Sequence, residues 1–228
     1  MMPGTVAQLS PSGTSSGRPV WVPSDADGML DFANDQYYLA NQLREIGTML
    51  GGGFDSGEIS ASGMYVNSSN SNRPTPIGVL LTRLVAGVAA GMTLVFDVTT
   101  ASSLGGCLIY IGVDADFNSS SFWNQAYIDG DIDDDNSLGI TATISGAGAH
   151  KIALTFNRDV GGGDHEYAWC HDGNAAVTQT VNYAAATMSA AQIGWDGAAD
   201  GRQLFQTYIK SITFYPALDP TDLPALTA

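Results

Sequence analysis

The sequence predicts an all-β fold: a two-sheet antiparallel sandwich with one or two short helices and an extended N-terminal arm. Three observations carry that prediction. About ten short runs rich in β-branched and aromatic residues follow one another, closed by Gly, Asn and Asp. Glycine occurs 27 times against only 8 Lys plus Arg, the usage of a chain with many turns and few exposed amphipathic helices. A sheet-forming segment, Tyr208 to Tyr215, lies almost at the C-terminus. At 228 residues, so many short strands are packed most economically as two stacked sheets.

Taken in order, residues 1–24 read as an arm and 25–228 as the sandwich. Pro3, Pro11, Pro19 and Pro23 suit extended or loop geometry, and Ser, Thr and Gly fill the gaps. Such a segment is either a poorly ordered tail or an anchor that orders on a neighbouring subunit, with Trp21 in the apolar Val20-Trp21-Val22 as the anchor. Gly28 to Phe32 reads as a first strand. Asn34 to Leu50 is the best helix candidate, because Leu39, Leu43, Ile46 and Leu50 recur at three- and four-residue spacing before a triple glycine. A second short helix is expected over Ile77 to Val88, after Pro74 and Pro76.

The remaining strands are expected at Glu58–Val66, Met92–Thr99, Cys107–Val113, Phe122–Ile128, Leu138–Ile144, Lys151–Asn157, Glu166–Cys170, Ala176–Val181, Gln192–Trp195 and Thr207–Tyr215. Continuous apolar runs such as Leu108 to Ile111 suit strands covered on both faces. Alternating ones such as Thr178 to Val181 suit an edge. No internal repeat is present.

Composition excludes several functions. The formal net charge of −15 disfavours nucleic acid, whose phosphates require Lys and Arg, and anionic membrane surfaces. It favours divalent cations or a basic partner. The apolar run Ile77 to Phe96 is broken by Arg83 and glycines, so it falls short of the about 20 apolar residues of a membrane span. Met1 to Ser24 has neither the basic nor the apolar region of a secretory signal. Cys107 and Cys170 are too few for a disulfide framework, and read as two buried thiols or one bridge between neighbouring strands.

The C-terminal third contains Leu154-Thr-Phe-Asn157, Asp172-Gly173, Ile193-Gly194, Ile209-Lys-Ser-Ile-Thr-Phe-Tyr-Pro216 and Leu223-Pro-Ala-Leu-Thr227. That series resembles the concanavalin A-like, laminin G-type jelly rolls of bacteriophage and prophage virion proteins. The matches cover about residues 150–228, and Gln206-Thr207 departs from the glycine usual before the last strand. The resemblance implies a jelly-roll sandwich and a non-enzymatic structural or adhesive role on the virion surface. It would be a head decoration, head fibre, tail fibre or tail-tip knob that packs on other virion proteins through its arm and forms a homo-oligomer, with host-surface glycan as a further candidate partner. A free carbohydrate-binding, lectin-like module is the alternative, and a glycoside hydrolase is third. Fold alone does not choose among these.

The sharpest local feature is Asp129-Gly-Asp-Ile-Asp-Asp-Asp-Asn136, with five carboxylates in seven residues. Asp129, Asp131, Asp133 and Asp135 are the candidate calcium ligands, calcium being the one cofactor the sequence suggests. An EF-hand is excluded, because position six is Asp134 and position twelve is Ile140. A solvated acidic turn and a docking face for a basic partner are the other readings. Phe122, Trp123 and Tyr127, after Asn118-Ser-Ser-Ser121, are the candidate glycan or partner contacts.

Hydrolysis of glycosides requires two placed carboxyl groups. Glu45, Glu58 and Glu166 are isolated, and no catalytic residues are assigned. His165 and His171 would lie about 20 Å apart on one strand at roughly 3.3 Å per residue, too far to share a metal.

Overall fold

The computed structural model describes residues 17–46, 50–51, 59–66, 75–76, 78–101, 107–112, 123–127, 131–134, 140–141, 144, 146–182, 188–194 and 207–228. In chain order the strands are β1 Gly28–Asp31, β2 Gln36–Leu39, β3 Gln42–Glu45, β4 Leu50–Gly51, β5 Ile59–Ser60, β6 Gly63–Val66, β7 Thr75–Pro76, β8 Met92–Thr100 and β9 Cys107–Gly112. They continue as β10 Trp123–Tyr127, β11 Asp131–Asp134, β12 Ile140–Thr141, β13 Gly148–Gly161, β14 Asp164–His171, β15 Val177–Val181, β16 Ala190–Ile193 and β17 Thr207–Pro216. Helix α1 spans Gly78–Ala90 and α2 spans Leu223–Thr227.

The fold is the expected antiparallel jelly-roll sandwich. The large, ten-stranded sheet runs β15-β14-β13-β8-β17-β1-β2-β3. The upper half of β17 pairs with β1, its lower half with β6, and β5 pairs with β6. The second sheet runs β12-β11-β10-β9-β16, and β4 pairs with β7 separately. As expected from its apolar run, β9 is interior and buried from Leu108 to Gly112, and the alternating β15 is an edge.

Strand periodicity divides the large sheet into two faces. The inner face carries Leu94, Phe96, Leu154, Phe156, Tyr167, Trp169, Ile212 and Phe214, which pack against Ile109, Ile111 and Ile193 of the second sheet. Leu80, Leu84 and Val88 repeat every four residues along α1 and enter the same core. Each such side chain, fully buried, contributes about 1.5–3 kcal/mol.

A smaller cluster covers part of the outer face. Val95, Ala153, Ala168, Cys170 and Tyr215 are overlaid there by Val22, Ala26 and Leu223, with Trp21 and Leu226 packed alongside. Residues 17–24, read from sequence as part of an arm, thus include a stretch that lies on this chain's own sheet. Arg18 holds it in place. Its guanidinium donates to the Pro23 and Ala26 carbonyls and stacks 5.8 Å above the Tyr38 ring. Trp21 is accordingly seated on its own sandwich, and the rest of the arm lies outside the described residues.

The helix expected over Asn34–Leu50 is absent from Asn34 to Ile46. Asp31 caps a single 3-10 turn, Phe32–Asn34, and Asp35 follows with φ 52°. Tyr37 and Tyr38 then run as a strand against β1, and Ala40 and Asn41, at φ 50° and 60°, reverse the chain into β3. Three positive-φ residues are incompatible with a helix, and Asn and Asp tolerate that geometry. The periodicity misleads because Leu43 is 40% exposed on an edge strand while Leu39 and Ile46 are buried.

The Leu154-Thr-Phe-Asn157 motif acquires a physical account. Leu154 and Phe156 enter the core, and the Thr155 hydroxyl meets that of Thr93 at 2.8 Å on the outer face. Thr93 Oγ1 also accepts the Leu218 N–H at 2.9 Å, fastening the C-terminal segment. Asn157, at φ 54°, donates from Nδ2 to the carbonyls of Val88 and Ala89 at 2.9 and 3.3 Å, satisfying the end of α1. Asn157→Ala removes the side-chain donor from the Val88 and Ala89 carbonyls, leaving Val88 only the long 3.4 Å bond from the Gly91 N–H. It is expected to lower unfolding free energy by about 0.5–1.5 kcal/mol in a denaturant titration.

Candidate functional site

The candidates drawn from sequence fall on the second sheet. Trp123 and Tyr127 are the ends of β10, opposite Gly112 and Cys107 of β9. Phe122, Asp129 and Asp135 lie outside the described residues. Asp131 and Asp133, expected in a turn, belong to strand β11, with Asp133 opposite Gln125 and Asp131 opposite Thr141. The described part of the acidic run, Asp131–Asp134, therefore enters the sheet as a strand paired with β10 and β12. Among the described residues no group of three or more His, Cys, Asp or Glu is arranged to hold a metal. No helix among them is long and apolar enough to cross a membrane. Cys170 is a buried free thiol, and burial pushes its pKa up, which leaves it a weak nucleophile.

The structure assembles a different constellation, on the part of the large sheet's outer face left uncovered by α2. A shallow cleft of about 400 Å³ is lined by Asp97, Ala149, His150, Lys151, Asp172, Lys210, Thr227 and Ala228. Strand pairing aligns it. Lys151 of β13 and Ser211 of β17 both stand opposite Asp97 of β8. The register of β17 shifts between Ile209 and Ser211, and the extra residue at that bulge is Lys210. Lys210 Nζ thereby comes within 4.0 Å of Asp97 Oδ1, with both side chains well exposed. Lys151 Nζ donates to the main-chain oxygen of Ala228 at 2.9 Å. These two are the only lysines in the chain.

One wall is the turn after β14. Asp172, at φ 49°, accepts the Lys151 N–H at Oδ1, 3.0 Å away. Its Oδ2 lies 2.7 Å from His150 Nδ1 and 3.2 Å from His171 Nδ1. Burial alone would raise the Asp172 pKa. The hydrogen bonds from His150, the Lys151 amide and His171 outweigh it and hold the carboxyl below its ordinary value. His150 is 11% exposed, and its Nε2 is buried without a protein hydrogen-bond partner. Beyond the cleft, on the same outer face, lies a pair of half-buried tyrosines. Tyr208 and Ala149 both flank Thr99, and Tyr65 stands opposite Tyr208. The two rings have centroids 4.8 Å apart and are tilted by 43°.

Sequence reasoning missed this cleft because its residues are scattered from Asp97 to Ala228. The usable signal was the pair of lysines in a chain so poor in them, one in each of two strands.

No family model and no curated protein sequence matches the chain. Solved structures do. The CBM40 of the Ruminococcus gnavus IT-sialidase, bound to α2,3-sialyllactose, aligns at 14% identity and a TM-score of 0.44 over 73% of this chain and 93% of that one. The NanB sialidase of Streptococcus pneumoniae aligns at 14% identity and 0.43 over 64% of this chain. A Trypanosoma rangeli sialidase aligns at 12% identity and 0.48 over 90%. The chain spans 25% of the NanB chain and 33% of the trypanosomal one. A shared fold at such identities carries no activity with it.

The Asp172 network makes a pH prediction. A carboxyl with a lowered folded pKa adds stability that is present above its unfolded value and lost as pH falls through the folded one. Asp172→Asn should therefore destabilise the protein at neutral pH and flatten the loss of stability below about pH 4, read by thermal unfolding across an acid series.

Proposed function

We propose that this chain is a non-catalytic, lectin-like glycan-binding sandwich that holds a saccharide on the outer face of its large sheet. One observation carries the proposal: a cleft of about 400 Å³ lined by charged side chains lies on the same sheet face as the tilted Tyr65–Tyr208 pair, with Tyr208 two residues from Lys210 on β17. A sugar presents apolar C–H faces and a rim of hydroxyls. Such a ligand matches an aromatic platform beside convergent charged donors and acceptors, and the cleft volume lies in the ordinary range of small-ligand sites.

The carboxylates support binding rather than turnover. Glu166 is engaged by Arg158 at 2.6 Å, and the same guanidinium holds Asp219 at 2.6 Å, so it clamps β14 to the C-terminal turn. Both oxygens of Asp172 are committed to the imidazoles and the Lys151 amide. A glycosidase of the usual kind needs one carboxyl group as acid and a second as base or nucleophile, and the cleft holds only Asp97 beside the committed Asp172 among the described residues. By the resemblance of the C-terminal strands, the carrier of such a module is a virion surface.

A glycan array, run with and without chelator, is expected to reveal a bound saccharide. Tyr208→Ala should weaken that binding by about tenfold, the scale of one lost stacking contact, with the protein still folded at the assay temperature although the lost Tyr65 contact lowers its melting temperature. An array blank in both conditions would overturn the proposal, and reducing-sugar release from a bound glycan would overturn its non-catalytic part.

A further inference from the structure

We infer that the ligand of this cleft is a sugar bearing a carboxylate, held by Lys151 and Lys210. The inference rests on the glycan-binding reading and adds the chemical class.

The charge distribution is the starting point. With 23 Asp and Glu against 8 Lys and Arg, the chain as a whole repels anions. Both of its lysines nevertheless flank a single residue, Asp97, on one face of one sheet. Lys151 is brought there by regular pairing of β13 with β8, and Lys210 by the bulge in β17. The Debye length at physiological salt is about 8 Å, so attraction from this pair acts within the cleft and is screened beyond it.

Donor capacity remains for a ligand. An ammonium has three N–H donors, and Lys151 uses one on Ala228. Lys210 lies 4.0 Å from the Asp97 carboxylate, beyond hydrogen-bonding distance, and 41% of its side chain is exposed. Asp97 is 37% exposed between the two and accepts hydrogen bonds without donating any. His150 alternates with Ala149 and Lys151 along β13 and so faces away from the lysines, holding Asp172 in place through Nδ1. Two cationic donors around a central acceptor match a ring that carries both a carboxylate and hydroxyls. A neutral sugar could accept hydrogen bonds from the ammonium groups but would leave their charge uncompensated. A sulfate would bring the charge with no hydroxyl for Asp97.

The test compares acids with their own esters, which removes the charge and keeps the ring. Wild-type protein is titrated calorimetrically with an oligogalacturonate and its methyl ester, and with sialyllactose and its methyl ester. At least one acid should bind about tenfold or more tighter than its ester, as expected for hydrogen bonds to charged groups. That advantage should shrink at high salt and disappear in Lys151→Met and in Lys210→Met. Arg44→Met, on the far edge strand, should retain it. Thermal unfolding of each variant shows whether it is folded. If esters bind as tightly as acids, or neutral glycans bind and no acid does, the inference fails and the glycan-binding reading stands. If neither these acids nor any glycan on the array binds, both fall. If the acid preference survives both lysine substitutions in folded protein, the assignment to these residues is overturned.

Discussion

The pairing of β8 with β17 is the constraint on which the other features rest. It joins Met92–Thr100 to Thr207–Pro216, segments more than a hundred residues apart in sequence, through a ladder running nearly the full length of both. Its inner face supplies Leu94, Phe96, Val98, Ile209, Ile212 and Phe214 to the core between the sheets. Its outer face supplies Val95 and Tyr215 to the smaller cluster, and Asp97 and Lys210 to the cleft. One backbone ladder thus sets the core, the seat of the C-terminal helix and the charged row together. The bulge costs a regular pair at Lys210, and in return two consecutive residues of β17 share the outer face near Asp97.

The polar contacts around this ladder attach its neighbours. Thr93 and Thr155 join β8 to β13 and bind the Leu218 amide, and Asn157 closes the end of α1. Thr227 accepts the Gly173 N–H and lies 3.3 Å from Cys170 Sγ, so α2 is tied to the same turn that carries Asp172. The cleft wall and the C-terminal helix therefore form one mechanical unit. In a buried setting each of these groups must be paired or cost free energy, which makes the arrangement specific as well as stable.

Much of the fold was legible because strand periodicity is local. The runs at Met92, Cys107, Lys151, Glu166, Ala176, Gln192 and Thr207 lie where the structure has β8, β9, β13, β14, β15, β16 and β17, and Pro74 and Pro76 announced α1. The failures were also local in origin. Leu39, Leu43 and Ile46 mimic a helical stripe, and only the positive φ angles at Asp35, Ala40 and Asn41 show that the chain folds back as a hairpin. Within the acidic run, Asp131 to Asp134 form a strand despite their charge, since a strand needs only backbone partners, which β10 and β12 provide. Trp21 was read as an anchor for another subunit because sequence cannot show that Val95, Ala153 and Tyr215 wait on its own sheet.

By itself the sequence determined a β-sandwich with an acidic surface, a turn-rich chain and a C-terminal sheet segment that closes the fold. Those properties follow from side-chain alternation, glycine usage and net charge, which operate between near neighbours or over the whole chain. Only the tertiary structure decided that Lys151, Lys210, Asp97, His150 and Asp172 meet in one cleft beside Tyr65 and Tyr208. That meeting depends on which strands are neighbours, on their register and on one bulge. Register is set by long-range packing of the buried face, and a single-residue slip of β13 would carry Lys151 to the opposite face, away from Asp97.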